Sequence, residues 1–436
     1  MADIDLEGLL EFSTAGDREA PPYFAGRADV LRDVGRAAER CWDHWTDGRG
    51  KTPGATRVIY GAPGAGKSSV LMHLERSWTG PGGGAPVMLR LGAPADFEDG
   101  RTFAERLVNL LRPGKGAEIR TEISRTWNLQ GNLPGVGGQL GRESRTGIPD
   151  DPINAVLSYI PAETWTSPVV IAVDEFQAAS GDETAPHAKV LHKLHTHDYE
   201  APIMAVLAGL SNTLGTVDRL GISRRSIDAS YSLGCLEPEE SEDLADGWSA
   251  HFGLPKMGPL RTAMLAQVEA GSHWPAHARN ALASFAEEIA RVQGDITLVD
   301  MQRVATGAHE RRQKYYQSRM SDEMWNSKWL LGAVVADLWA GADSGDVINL
   351  VNRHADPASN DVKWRMPEGM SARDFYHHIL HRGVVQQETD STVSRPIPSF
   401  RDWIIENCMP RPFSDADADS DPYAIPDPCT PPTPFD

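Results

Sequence analysis

Cysteine is scarce: four occur in 436 residues, Cys41, Cys235, Cys408 and Cys429, with no short spacing between any two. That scatter indicates neither a zinc knuckle nor a disulfide framework, so reduced thiols are expected. Long apolar runs are also missing. No stretch approaches the roughly 18 to 20 residues a membrane-spanning helix needs, and the acids between Met1 and Glu11 have the wrong charge for a signal peptide. A cytoplasmic protein without membrane contact is the expectation. Positive charge is in deficit, since 42 Lys and Arg against 61 Asp and Glu leave a formal charge of −19. Nonspecific nucleic-acid binding rests mainly on phosphate neutralisation, so this balance weighs against a protein that coats nucleic acid while leaving room for a local DNA-binding face. Six aspartates follow Pro412, and without them the remainder still carries −13.

What is present suffices for a sizeable core. Hydrophobic residues make up 40% and charged residues 24%, the balance of a globular chain. At roughly 150 residues per domain the length suggests two or three domains, and the pattern favours three. An N-terminal arm (1–20) precedes an α/β segment (21–235), a helical segment (236–318), a third unit (319–410) and an acidic, proline-rich tail (411–436) that has no periodicity and reads as disordered. In the α/β segment, strands are predicted at Arg57 to Tyr60, Pro86 to Leu91, Pro168 to Val173, Pro202 to Leu207 and Ile227 to Leu233, separated by amphipathic stretches. That alternation is the signature of a parallel sheet covered by helices. The third unit reads as helices at Trp325 to Trp339, Gly345 to Arg353 and Ser371 to Arg382, then a hairpin and a short closing helix, which is a winged-helix order. A glycine-rich stretch (114–150) is either a helix-plus-hairpin insertion or a mobile functional loop.

The chemistry concentrates at Gly61-Ala62-Pro63-Gly64-Ala65-Gly66-Lys67-Ser68, which fits G-x-x-x-x-G-K-[ST] between a predicted strand and a helix beginning at Ser69. Glycines let backbone N–H groups wrap phosphates, and the helix N-terminus adds its positive dipole end. Lys67 is placed to reach the β and γ phosphates of ATP, and the Ser68 hydroxyl to ligate Mg²⁺. Further on, the apolar run Val169 to Val173 ends in Asp174-Glu175. In a parallel sheet, ligands gather at the carboxyl ends of strands, so Asp174 is read as a Mg²⁺ partner and Glu175 as the base that polarises the attacking water. The following strand ends in Ser211-Asn212-Thr213, where Asn212 is the first candidate and Ser211 the second to position that water.

Phe24-Ala25-Gly26-Arg27, the P-loop, Asp174-Glu175, the segment Leu207 to Thr213, and Asp218-Arg219-Leu220-Gly221-Ile222-Ser223-Arg224-Arg225 together resemble AAA+ ATPases of the clade joining origin-recognition initiators to STAND signalling ATPases. The resemblance implies an AAA+ sheet core, a helical lid and a following winged helix. It implies that Asn212 acts as sensor 1, and that one of Arg219, Arg224 and Arg225 is an arginine finger reaching a neighbouring subunit's γ phosphate, Arg224 first and Arg225 next. A homo-oligomer joined through its ATP interfaces follows. The region Gly271 to Leu282 resembles the sensor 2 helix, with Arg279 or His277 in position, although the usual glycine-to-arginine spacing is not kept.

His192, His195, His197 and Asp198 form a polar cluster, but no second ligand pair at metal-site spacing accompanies it, and a structural zinc is not the favoured reading. Two functions share the ATP site. In the first, an ATPase controls assembly on DNA as an initiator, loader, mobile-element or defence component. DNA would meet the winged helix, with Arg373, Arg382 and Arg395 as its cations. In the alternative, a STAND-like signalling switch senses a protein partner through the same domain.

Overall fold

The computed structural model describes residues 4–14, 23–48, 56–78, 86–92, 106, 107, 109, 110, 165–178, 192, 201–220, 227, 229–387 and 392–410. The glycine-rich stretch, Arg224, Arg225, His195, His197, Asp198 and the acidic tail lie outside these residues. The chain divides into two compact units, one formed by Met1–Gly26, Gly61–Ser69 and Ser232–Asp436, the other by Arg27–Tyr60 and Val70–Tyr231. Among the described residues no helix is long and apolar enough to cross a membrane.

The second unit is built on strands β1 (Thr56–Tyr60), β2 (Val87–Leu91), β3 (Val169–Val173), β4 (Ile203–Gly209) and β5 (Ala229–Ser232), in the order β2-β3-β4-β1-β5. The pairs β2/β3, β3/β4 and β4/β1 are parallel. Every residue of β1, β3 and β4 is buried, as expected of strands covered on both faces. Helix α2 (Ala28–Thr46) belongs to the same unit. Its Asp33 takes a 2.5 Å ion pair from Arg57, a β1 residue only 3% exposed. Burial alone would raise the Asp33 pKa, but hydrogen bonds from Tyr231 and Arg57 outweigh it and hold the carboxyl below its ordinary value. A buried charge on a central strand is tolerable because it is paired.

The first unit contains α1 (Leu6–Thr14), and the loop Gly61 to Gly66 leads into α3 (Lys67–Ser77) at its junction with the other unit. In the sheet unit, α4 (Thr213–Arg219) follows β4. The lid of the first unit comprises α5 (Pro238–His251), α6 (Pro259–Glu269), α7 (Pro275–Arg291) and α8 (Met301–Arg319). Helix α1 inserts Leu9 and Phe12 into the lid core beside Trp248, Phe252, Phe285 and Ile289, so part of the N-terminal arm is built into this helical layer.

The winged helix follows as α9 (Asp322–Asn326), α10 (Lys328–Asp337), α11 (Ser344–His354), α12 (Ala372–Arg382), the antiparallel hairpin β6 (Gln386–Gln387) and β7 (Val393–Ser394), and α13 (Pro398–Cys408). Ser327 breaks the expected long helix into α9 and α10. Reciprocal capping boxes start α11 (Asp343 and Asp346) and α12 (Ser371 and Asp374), and Gly383, at φ 75°, ends α12 in the left-handed conformation that glycine adopts without steric cost. Lid and winged helix are joined where Tyr316 stacks on Phe400 at 4.9 Å and donates to Ser399 Oγ at 2.8 Å.

Two further expectations fail. Cys235 is disulfide-bonded, whereas Cys41 and Cys408 are buried thiols, and burial pushes the Cys408 pKa up to about 12. Arg395, expected to be a surface cation on the wing, is 9% exposed and belongs to the interior of the domain.

Candidate nucleotide-binding site

The phosphate loop belongs to the first unit. Gly64 (φ 81°) and Gly66 (φ 92°) both adopt backbone that side-chain-bearing residues resist, which bends the chain into the cradle the motif predicts. A Cβ at Gly64 would lie 2.8 to 2.9 Å from Ala276 Cβ, Trp274 Nε1 and the Tyr315 hydroxyl, so that glycine is required by space as well as by backbone angle. Lys67, 8% exposed, donates from Nζ to the carbonyls of Gly61 and Ala62, each at 3.0 Å. Ser68 and Ser69 open α3 beside it, in its first turn.

The lid and the winged helix both touch this loop within the unit. The Ala276 N–H, at the start of α7, donates to Gly64 O at 3.2 Å, and Tyr315 of α8 donates its hydroxyl to Pro63 O. Gln386 of β6, 3% exposed, accepts the Ala62 N–H at 2.9 Å and donates to Ser232 Oγ at 2.6 Å. Trp274 is fully buried against Gly64, and its Nε1 has no hydrogen-bond partner among the described residues. None of Gln386, Tyr315 or Trp274 was singled out from the sequence for this role. Of the three, only Trp274 lies within Gly271 to Leu282, the stretch that resembles the sensor 2 helix.

Of the sensor 2 candidates, His277 is 1% exposed, with Nδ1 3.1 Å from Gly271 O and its ring edge-on to Tyr315 and Tyr316. Burial pushes its pKa down to about 4, so it is a neutral core histidine at ordinary pH. Arg279 holds its guanidinium 5.7 Å from the Phe12 ring centre, beside the N-terminal helix.

The acidic residues belong to the second unit. Strand register sets Val173, which precedes Asp174, beside Leu207, and Tyr60, which precedes the loop, beside Gly209. Both strands therefore end at the same edge of the sheet as β4. Asp174 is 7% exposed, and its Oδ1 accepts the Glu175 N–H at 2.9 Å. Glu175 itself is at φ 50°, a left-handed conformation unusual for a residue with a side chain and of the kind that clusters at functional sites. Its Oε2 accepts from Gln177 Nε2, and Gln177 Oε1 accepts the Leu210 N–H at 2.9 Å. The structure thus gathers Asp174, Glu175 and the β4 tip carrying Asn212 through Gln177, a residue the sequence reading passed over although it sits two positions after Glu175.

At that tip Ser211 Oγ, Asn212 Oδ1 and Thr213 Oγ1 are buried and have no hydrogen-bond partner among the described residues. Buried polar atoms are ordinarily satisfied, so three orphans in succession fit a site that receives a polar ligand or a bound water. Arg219, the described finger candidate, donates to Thr216 Oγ1 of its own helix at 2.9 Å.

No protein-family model matches the chain, and no curated protein matches it by sequence. Solved structures do match in fold. The Aeropyrum pernix ORC2 protein in its ADPNP-ADP complexes has a TM-score of 0.53 at 14% identity, over 91% of this chain and 97% of that one. Its ADP form has a TM-score of 0.50 at 13% identity, over 93% and 98%. The likeness runs over most of both chains, and this chain has the fold of the origin-recognition-type AAA+ ATPases.

Proposed function

We propose that this protein binds and hydrolyses ATP and uses the nucleotide to control its assembly on DNA. The observation that carries the reading is the phosphate loop itself, with Gly64 and Gly66 in left-handed backbone ahead of Lys67 and Ser68. Backbone N–H groups of residues Gly61 to Ser69 would hold the phosphates, Lys67 would face the β and γ oxygens, and Ser68 with Asp174 would hold Mg²⁺. When bound, Mg²⁺ supplies charge neutralisation on the β and γ oxygens. Glu175 accepts the proton of the attacking water, and Asn212 orients that water from the β4 tip. The ORC2 neighbour bound ADPNP and ADP, in keeping with a nucleotide in this fold.

A neighbouring subunit would complete the site through Arg224, with Arg225 and Arg219 as the other candidates, which makes a homo-oligomer the working form. Arg279, held over Phe12, would act toward the nucleotide as sensor 2 by leaving that ring. DNA is the proposed partner of the winged helix.

The test uses a fluorescent ATP analogue and steady-state turnover. Lys67→Ala loses nucleotide binding, whereas Glu175→Gln retains ATP and loses hydrolysis by about a hundredfold or more, because the amide keeps the shape of the base without its proton affinity. Normal turnover in Lys67→Ala would refute the site.

A further inference from the structure

We propose that Gln177 is the positioning residue for Glu175, and that it aims this carboxylate from the tip of β4. The inference rests on the reading of Glu175 as the base. Glu175 is solvent-exposed at the end of a buried strand, where a long carboxylate side chain would ordinarily sample several rotamers. Here it is held at two points. Its N–H donates to Asp174 Oδ1 at 2.9 Å, which fixes the left-handed turn at φ 50°, and its Oε2 accepts from the Gln177 side-chain amide.

The amide is itself anchored. Gln177 Oε1 accepts the backbone N–H of Leu210 at 2.9 Å, so the side chain spans from Glu175 to the residue that leads into Ser211 and Asn212. Gly209 on β4 leaves room for this seat and for the tip beyond it, because a Cβ there would lie 2.3 Å from Thr213 Oγ1, 2.6 Å from Gln177 Oε1 and 3.1 Å from Gln177 N. Three polar atoms on successive residues, Ser211, Asn212 and Thr213, have no hydrogen-bond partner among the described residues and lie immediately beyond this anchor.

The division of labour follows from the two carboxylate oxygens. Gln177 engages Oε2 as a neutral donor, which orients the group without competing for charge and leaves Oε1 to accept the water proton. This is the logic of a base oriented by a third group. Because the turn after β4 carries both the anchor, Leu210, and Asn212, a shift of that turn on ligand binding moves the base and the water-positioning residue together.

The experiment measures ATP turnover and labelled-ATP affinity on the full chain. Gln177→Met keeps the side-chain length and removes the amide; kcat falls about tenfold or more while KM and nucleotide affinity stay within about twofold of the parent. Gln177→Asn keeps the amide on a side chain one methylene shorter, too short to span from Glu175 to Leu210, and gives the same kcat loss, which keeps the proposal testable should Gln177→Met not fold. The double variant Glu175→Gln/Gln177→Met turns over no more slowly than Glu175→Gln alone, since Gln177 acts through Glu175. If Glu175→Gln abolishes turnover yet Gln177→Met and Gln177→Asn keep the parent kcat, or turn over faster, the positioning role is overturned while the base assignment stands. If Glu175→Gln turns over normally, the base assignment falls and this proposal with it.

Discussion

Gln386 of the winged-helix hairpin accepts the Ala62 N–H at 2.9 Å while donating to Ser232 Oγ at 2.6 Å, so one buried amide joins the wing, the phosphate loop and the end of β5. Its side chain satisfies the N–H of Ala62, a residue only 1% exposed, which would otherwise be buried without this partner. Pro63, next to Ala62, is close enough to Gly383 that a Cβ there would lie 2.4 Å from Pro63 Cδ, so the turn after α12 is fitted to the same loop.

Replacing Gln386 with Leu keeps the volume and removes both hydrogen bonds. Orphaning a buried donor costs about 1 to 3 kcal/mol, so the midpoint of urea unfolding falls by an amount in that range. Hydrogen exchange at the Ala62 amide accelerates in the same variant. A variant with the parent midpoint and parent exchange at Ala62 would contradict the contact.

His277 makes stability depend on pH in a defined window. Its folded pKa, about 4, lies below the ordinary 6.5, so as pH falls the unfolded chain takes the proton first. The stabilising contribution is fully present above about pH 6.5, declines between about 6.5 and 4, and amounts to about 3 kcal/mol over that span. His277→Gln removes the titration, so its unfolding free energy varies less with pH than the parent's between those limits. Chemical denaturation of both proteins at pH 7, 5.5 and 4.5 reads the difference, and parallel curves would show that His277 does not contribute.

Strands β2, β3 and β4 were legible because each is a short, mostly apolar run, and β3, Val169 to Val173, is buried at every position. The phosphate loop was legible because its chemistry fixes residue types at fixed spacing. Gln177 was not, since its partners Glu175 and Leu210 are separated by the chain between β3 and β4, and a single glutamine carries no periodic signal. Gln386 escaped for the same reason, its partner lying 324 residues away. Arg395 was misread because a hairpin strand of two residues is too short for alternation to say which side faces water.

Assembly through the ATP site predicts complementation between two inactive proteins. Arg224→Ala lacks the proposed finger and Glu175→Gln lacks the base, so each alone is inactive. In a mixed oligomer, some interfaces combine an intact Glu175 with an intact Arg224, and partial ATPase activity returns on mixing. Activity that remains absent at every mixing ratio would place the finger elsewhere or in the same subunit, and sedimentation as a monomer at all ATP concentrations would contradict assembly itself.

The winged helix provides the final prediction, that α12 binds duplex DNA through few cations. Arg373 is exposed near the start of α12, and Arg382 is partly exposed in its last turn. Arg395 is buried and adds nothing to that face. His378 turns its Nε2 to Ser321 Oγ at 2.7 Å, and burial followed by the nearby Arg382 lowers its pKa, so it resists charging as pH falls. Two cations imply about two phosphate contacts per subunit, and at about −0.9 per contact the log-log salt slope is close to −2. The distant acids of a chain at −19 do not prevent this, because screening limits their reach to about 10 Å at ordinary salt. Fluorescence anisotropy of a labelled duplex with ATP measures the slope for the parent and for Arg373→Ala/Arg382→Ala, in which affinity drops and the slope flattens toward zero. Equal binding by both proteins, or none by the parent at low salt, would remove DNA from α12 and favour a switch in which the winged helix meets a protein partner.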